Sequence, residues 1–181
     1  MIKKRELNEC TSLYELMSEP SVLAFVRHKA SSADEYWFMT KQLMEDEENG
    51  NAVSRTIFSD FGQPIGTINL FDIEDGAGFL GTWIGKPFQG LGYNKKAKEQ
   101  FLHELFFETD IHTVFLRIRK NNVKSIRATE KLRYALKANE THPLIYSEIN
   151  KKNDIYDLYY IPKDLFHLSM LQSNTEEEQA M

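Results

Sequence analysis

Two glycines one residue apart, Gly90 and Gly92, stand between the apolar run that ends in Thr82-Trp83-Ile84 and the amphipathic stretch that begins at Tyr93. A glycine at a strand-to-helix junction lets a ligand approach the backbone, because no Cβ holds it off. The first turn of the helix that follows has N–H groups without intrahelical partners, at the positive end of the macrodipole. Together they make a seat for phosphate. Lys95, Lys96 and Lys98 crowd the same helix start, where each cation is disfavoured by roughly 0.3–1 kcal/mol. A bound polyanion supplies a reason for them; three solvated lysines are the alternative.

The spacing excludes two common phosphate loops. No Gly-x-x-x-x-Gly-Lys-Ser/Thr occurs, so this is not a P-loop. Gly90 and Gly92 are followed by Lys95 where a dinucleotide fingerprint needs a third glycine.

The elements that must carry this junction are legible from periodicity. Helical spacing runs over residues 10–17, and again over 33–48 with Ser32 as N-cap and Asn49-Gly50 as its end. A meander follows: strands over 51–59, 65–71 and 78–84, with a turn at Asp60 to Pro64 and a hairpin at Glu74-Asp75-Gly76. Gly66 and Gly81 inside strands predict close backbone approach. The helix over 93–108 turns Ala97, Phe101 and Leu105 inward, with Leu102 and Phe106. A strand over 113–119 and a helix capped by Asn122, running to about Arg133 with Val123, Ile126 and Leu132 toward the core, come next. Late strands are predicted over 144–149 and 154–161, and an acidic, disordered tail over 173–181. Helices, a meander and then strand-helix-strand-helix-strand spell an α+β fold.

Composition narrows the partners. At 181 residues the chain has the size of one domain, here 1–172. The net charge of −5 argues against nucleic acid and suits a cationic partner such as an amine. No apolar run approaches the roughly 18 residues of a membrane span, and no secretory signal is expected behind Met1-Ile2-Lys3-Lys4. One cysteine, Cys10, forms no internal disulfide, so the expected setting is the cytoplasm. The histidines are scattered and no metal site is expected.

The loop Gln89-Gly90-Leu91-Gly92-Tyr93-Asn94 resembles the acyl-CoA pyrophosphate loop of the GNAT superfamily of N-acyltransferases, Gln/Arg-x-x-Gly-x-Gly/Ala. The resemblance extends to Glu19-Pro20-Ser21-Val22-Leu23, Pro64-Ile65-Gly66-Thr67-Ile68, Gly81-Thr82-Trp83-Ile84, Asn122-Val123-Lys124-Ser125-Ile126 and Glu130-Lys131-Leu132. In family order these span roughly residues 10 to 134, and they are most similar to the branch of the ribosomal-protein N-terminal acetyltransferases. The chain departs from the pattern at Asn94, in place of a small residue, and at Thr82, in place of a tyrosine. Phe79 stands where relatives carry a glutamate, Thr129 where many place a tyrosine general acid, and Arg133 where a glycine is usual.

The resemblance implies a mixed, mostly antiparallel sheet of about six to seven strands flanked by about four helices. It implies acetyl-CoA as co-substrate, held by Thr82, Trp83, Ile84, the backbone of Gln89 to Asn94 (Gln89, Gly90, Leu91, Gly92, Tyr93, Asn94), Asn122 and Ser125. A backbone N–H near Trp83 or Ile84 would polarise the thioester carbonyl, and Ser125 is the candidate catalytic residue that protonates the leaving thiolate. The implied reaction moves an acetyl group to a primary amine, on a small molecule or a protein N-terminus, in a ternary complex of a monomer or homodimer. The alternative is a non-catalytic acyl-CoA-binding module.

No general base stands out. An α-amine with pKa near 7.8 is roughly 15% neutral at pH 7, whereas a lysine-like amine near 10.4 is about 0.04% neutral, so only the second strongly needs one. The candidate carboxylates are Glu35, Asp72, Glu74 and Asp75.

Overall fold

The computed structural model describes the backbone of residues 1–179 and the side chains of residues 1–172. Its strands are β1 (Ile2–Lys4), β2 (Val53–Phe58), β3 (Pro64–Glu74), β4 (Ala77–Ile84), β5 (Thr113–Arg119), β6 (Leu136–Lys137) and β7 (Tyr156–Pro162). Its helices are α1 (Cys10–Met17), α2 (Pro20–Leu23), α3 (Ala33–Glu48), α4 (Tyr93–Glu108), α5 (Val123–Glu130), α6 (Pro143–Ile149) and α7 (Lys163–Gln179). The strands hydrogen-bond in the order β1-β2-β3-β4-β5-β7-β6. β4 and β5 run parallel, and β1/β2, β2/β3, β5/β7 and β6/β7 antiparallel. The fold is thus α+β on a seven-stranded, mostly antiparallel sheet.

The chain divides into two compact units. The first holds Met1–Asp75 and Leu80–Asp110. In it β2 is flanked by β1 (Ile2↔Ile57) and β3 (Ser54↔Asn69). α1 supplies Cys10, Leu13 and Met17 to a core shared with Val22, Val26, Ala30 and Tyr36, with Trp83 packed against it. α3 begins as its spacing predicts, the Ser32 hydroxyl accepting from the Glu35 N–H at 3.1 Å. α4 buries Ala97, Phe101, Leu102, Leu105 and Phe106, the inner face read from the 3.6-residue period. The guanidinium of Arg55, buried on β2, bridges Glu47 of α3 (2.7 Å) and Glu104 of α4. With two carboxylates on one cation, the buried charge is fully paired.

The second unit holds Gly76–Phe79 and the residues from Ile111 onward. β5 and β7 pair from Thr113↔Pro162 to Arg119↔Tyr156. Phe115, Leu158 and Ala138 form a core against which Ile145, Tyr146 and Ile149 of α6 pack. Asn150 organises the turn after α6: its amide donates to the Tyr146 and Tyr156 carbonyls, and its oxygen accepts from the Ile155 and Tyr156 N–H groups.

Several predicted elements change. Residues 144–149, read as a strand, form helix α6, which Pro143 starts at its first position, where a missing N–H costs nothing. The helix capped by Asn122 stops at Glu130 rather than near Arg133, and it buries Thr129 while Val123 stays half exposed. Helix α7 continues through Gln179, across most of the segment read as an unstructured tail from Ser173; its Thr-Glu-Glu-Glu-Gln run is made largely of helix formers. Residues 180 and 181 lie outside the described residues. The helices number seven among the described residues, not about four.

Candidate acyl-CoA site

The junction opens at the end of β4. Gly85 donates to the Ile65 carbonyl at 2.8 Å, and an added Cβ there would meet the Leu16 side chain at 2.9 Å. A 3-10 turn over Lys86–Phe88 follows. The Gln89 side chain then reaches back, its Nε2 donating to the Ile84 carbonyl at 2.9 Å. This bond spans the turn and fixes where the next residues begin, a role for Gln89 that spacing alone does not reveal.

Gly90 and Gly92 both adopt left-handed backbone, φ +82° and +85°, and nothing lies within 4 Å of the place a Cβ would take on either. Gly92 is the N-cap of α4 and offers no capping side chain; the first helical bond runs from Lys96 N–H to the Gly92 carbonyl at 3.2 Å. The N–H groups of Tyr93, Asn94 and Lys95 therefore precede the ladder, with no acceptor among the described residues. Open space, a bare helix N-terminus and two glycines that keep the backbone accessible match what a pyrophosphate requires.

Two tethers hold this loop. The Tyr93 hydroxyl lies 3.3 Å from Asp60 Oδ2 and accepts from the Asp60 N–H at 3.4 Å, joining the start of α4 to the β2–β3 turn. Lys86 pairs with Glu19 at 3.2 Å, and Glu19 caps α2 through the Ser21 and Val22 N–H groups. Lys95 and Lys96 face solvent, but Lys98 does not. It belongs to the buried side of α4, and burial pushes its pKa down to about 8. The three lysines thus do not act as one cationic patch.

Along β4, Ile84 is buried and Trp83 packs on the α1 core. The Thr82 hydroxyl is sealed from water without a hydrogen-bond partner. Gly66 permits a close crossing: a Cβ there would stand 2.2 Å from the Trp83 carbonyl oxygen. Within its unit, β4 is the last strand, so Leu80–Ile84 present their outer edge there.

Two of the four candidate carboxylates have other employment. Glu35 accepts from the Ser31 hydroxyl and N–H, which holds its pKa below the usual range. Asp72, at φ +53°, pairs with Arg27 at 2.5 Å. Glu74 and Asp75 are exposed at the hairpin turn.

In the second unit, Asn122 caps α5, its Oδ1 accepting from the Ser125 N–H at 3.2 Å. Ser125 is half-buried, and its hydroxyl has no partner among the described residues. The Thr129 hydroxyl is likewise unpartnered and fully buried. Phe79, in place of a carboxylate, joins a row across the sheet: its ring is 5.7 Å from Phe115, whose neighbour His142 lies 5.3 Å away and 4.6 Å from Tyr160. The Tyr159 hydroxyl donates to Glu130 at 3.1 Å, a contact 29 residues apart that periodicity does not foretell. Among the described residues, no three His, Cys, Asp or Glu side chains gather as metal ligands, and no helix is long and apolar enough to cross a membrane.

Comparison with curated proteins finds no match. Solved structures are similar in fold. Apo FdhC, described as a nucleotide-linked sugar GNAT, superposes with a TM-score of 0.77 at 18% identity, covering 96% of this chain and 92% of the other. Spermidine N-acetyltransferase SpeG from Vibrio cholerae, in complex with CoA and spermine, gives 0.72 at 15% identity, covering 92% and 96%. The ribosomal L7/L12 alpha-N-protein acetyltransferase RimL gives 0.69 at 17% identity, covering 88% and 87%. The family model described as acetyltransferase (GNAT) domain matches residues 4–135. With that match over most of its length, the chain belongs to the GNAT acetyltransferase family.

Proposed function

We propose that the protein is an acetyl-CoA-dependent N-acetyltransferase that moves the acetyl group to a primary amine by direct attack, with residues 1–172 acting as one catalytic domain, monomeric or homodimeric, in the cytoplasm. The observation that carries this reading is the cradle: two left-handed glycines facing open space, followed by the three unengaged N–H groups of Tyr93, Asn94 and Lys95. Acetyl-CoA supplies an activated thioester. The backbone of Gln89 to Asn94 holds its pyrophosphate, and the edge of Thr82, Trp83 and Ile84 aligns the pantetheine. A β4 N–H polarises the thioester carbonyl.

The chain's part in proton handling is small. Glu35 and Asp72 are engaged, so an α-amine or other weakly basic amine, partly neutral at pH 7, loses its proton to water. Ser125, with its free hydroxyl, protonates the leaving thiolate and regains its proton from water, and Asn122 keeps it in place through the cap. The bond formed is N–C(acetyl) and the bond broken is C–S. The acceptor is a protein N-terminus, a polyamine or another small amine; the proton argument favours the α-amine of a protein N-terminus, while likeness in fold to the SpeG structure with CoA and spermine supports the polyamine class.

Following free thiol while purified protein meets acetyl-CoA and a panel of α-amines, polyamines and amino sugars tests this. Thiol release with at least one amine is expected; none above background across the panel overturns it. Phe79 in its aromatic row and the sealed Thr129 favour a second reading, a non-catalytic acyl-CoA-binding module. That reading predicts tight CoA binding by calorimetry with no turnover.

A further inference from the structure

Phe61 is the most exposed large apolar side chain of the described residues, at 92%. Its turn is nonetheless tightly closed. Ser59 donates to the Gln63 carbonyl (2.9 Å) and Gly62 to the Ser59 carbonyl (3.1 Å), while the buried Ser59 hydroxyl accepts from the N–H groups of Phe61 (3.3 Å) and Gln63 (3.2 Å). Gly62 takes the left-handed conformation the turn needs, φ +75°. An aromatic ring is therefore held out in water on a rigid support, and no ring or cation stacks on it among the described residues.

Its place in the fold gives the ring a partner. Asp60, its chain neighbour, is bonded through both its N–H and its carboxylate to the Tyr93 hydroxyl, and Tyr93 is the first residue of α4, next to the Gly92 cap. Leu91, in the loop itself, is 63% exposed. Lys96 is exposed one helical turn from Tyr93. A ligand whose pyrophosphate occupies the cradle continues on the far side into an adenosine that carries one further phosphate. Purine rings stack on exposed aromatic faces, and a free lysine suits the phosphate.

We propose that Phe61, on the β2–β3 turn, is the stacking platform for the adenine of the acyl-CoA, with Lys96 of α4 as the cation for its further phosphate. The proposal rests on the cofactor reading above, and it assigns the ring a role separate from the cradle. Phe61→Ala removes the stack without touching a buried group.

Calorimetric titration of wild type, F61A and F61W with CoA and with 4′-phosphopantetheine, which lacks the adenosine, tests it. F61A is expected to weaken CoA about 5- to 100-fold and to leave 4′-phosphopantetheine unchanged, while F61W keeps wild-type CoA affinity. Equal loss for both ligands, or no loss for either, overturns the proposal and leaves the cofactor reading standing. A change in oligomeric state by sedimentation with CoA affinity intact also overturns it, making the ring a contact between copies. Absence of CoA binding by the wild type overturns the cofactor reading and this subsite together.

Discussion

The Tyr93 hydroxyl and Asp60 meet twice, through the Asp60 N–H at 3.4 Å and Oδ2 at 3.3 Å, and so join the β2–β3 turn to the first residue of the helix that heads the cradle. Both bonds are long and solvent-exposed, so their joint contribution to stability is about 1 kcal/mol or less. Their value is positional. Tyr93→Phe is expected to lower the melting temperature by only a few degrees and to weaken CoA several-fold. Asp60→Ala should do the same, and the double variant should lose little more than either. Additive losses in CoA affinity would show that the pair does not act as a unit.

Gly92→Val is expected to abolish CoA binding. The left-handed backbone at φ +85° strains any branched residue by roughly 1–2 kcal/mol, and the new side chain enters the space over the helix start. Gly50 provides the control: it too is left-handed, at φ +76°, with nothing within 4 Å. Gly50→Val shares the strain and should keep its CoA affinity. Thermal melts and calorimetry on both variants separate strain from occlusion.

Lys98 sets a pH dependence of opposite sign to that of a salt-bridged lysine. Its folded pKa lies near 8 against an ordinary 10.5. Between those values the unfolded chain binds a proton that the folded chain does not, so stability rises with pH across that window. Below pH 8 the cost of burying the charge is fully present. Lys98→Met should therefore be more stable than wild type at pH 7, by up to about 3 kcal/mol, and the gap should close between about pH 8 and 10.5. Urea unfolding across pH 7–10.5 checks this; a variant less stable at pH 7 would contradict it.

Ser125→Ala should lower turnover by about a hundredfold or more if its hydroxyl is the proton donor, with a much smaller loss of CoA affinity. Asn122→Ala acts differently. It removes the helix cap, costs about 1 kcal/mol of stability, and should be read by its melting temperature before its rate. Steady-state kinetics with an acyl donor whose thiol is a better leaving group should narrow the difference between wild type and S125A if proton donation is the role.

The helices over Ala33–Glu48 and Tyr93–Glu108 and the strand Thr113–Arg119 were legible because each has a clear period and a local stop or start: Ser32 and Asn49-Gly50, Gly92, and Asn122. Helix α6 was not, because Leu144, Ile145, Tyr146 and Ile149 form a short apolar run that fits strand or helix alike. Pro143 was the signal that decides between them. The glycine turn and the start of α4 were readable for the same local reason, since both lie within a few residues. The proton-handling groups were not. Glu35 and Asp72 look free in one dimension and acquire their partners only when Ser31 and Arg27 fold against them. Likewise, a lysine on the inner side of α4 differs from its neighbours only once the helix is docked.

The empty volume above Gly90 and Gly92 also bears on descent. A glycine wedged against a neighbour, such as Gly66 beneath the Trp83 carbonyl, is kept by packing whether or not the protein is used. A Cβ on Gly90 or Gly92 would meet nothing, so apart from backbone conformation only a ligand at the proposed site would hold these residues as glycine. In a lineage that stopped using the ligand, Gly66 would persist while this pair drifted toward Asn, Asp or other residues that tolerate the left-handed region. The two kinds of glycine are therefore separate clocks, one recording the fold and the other recording use.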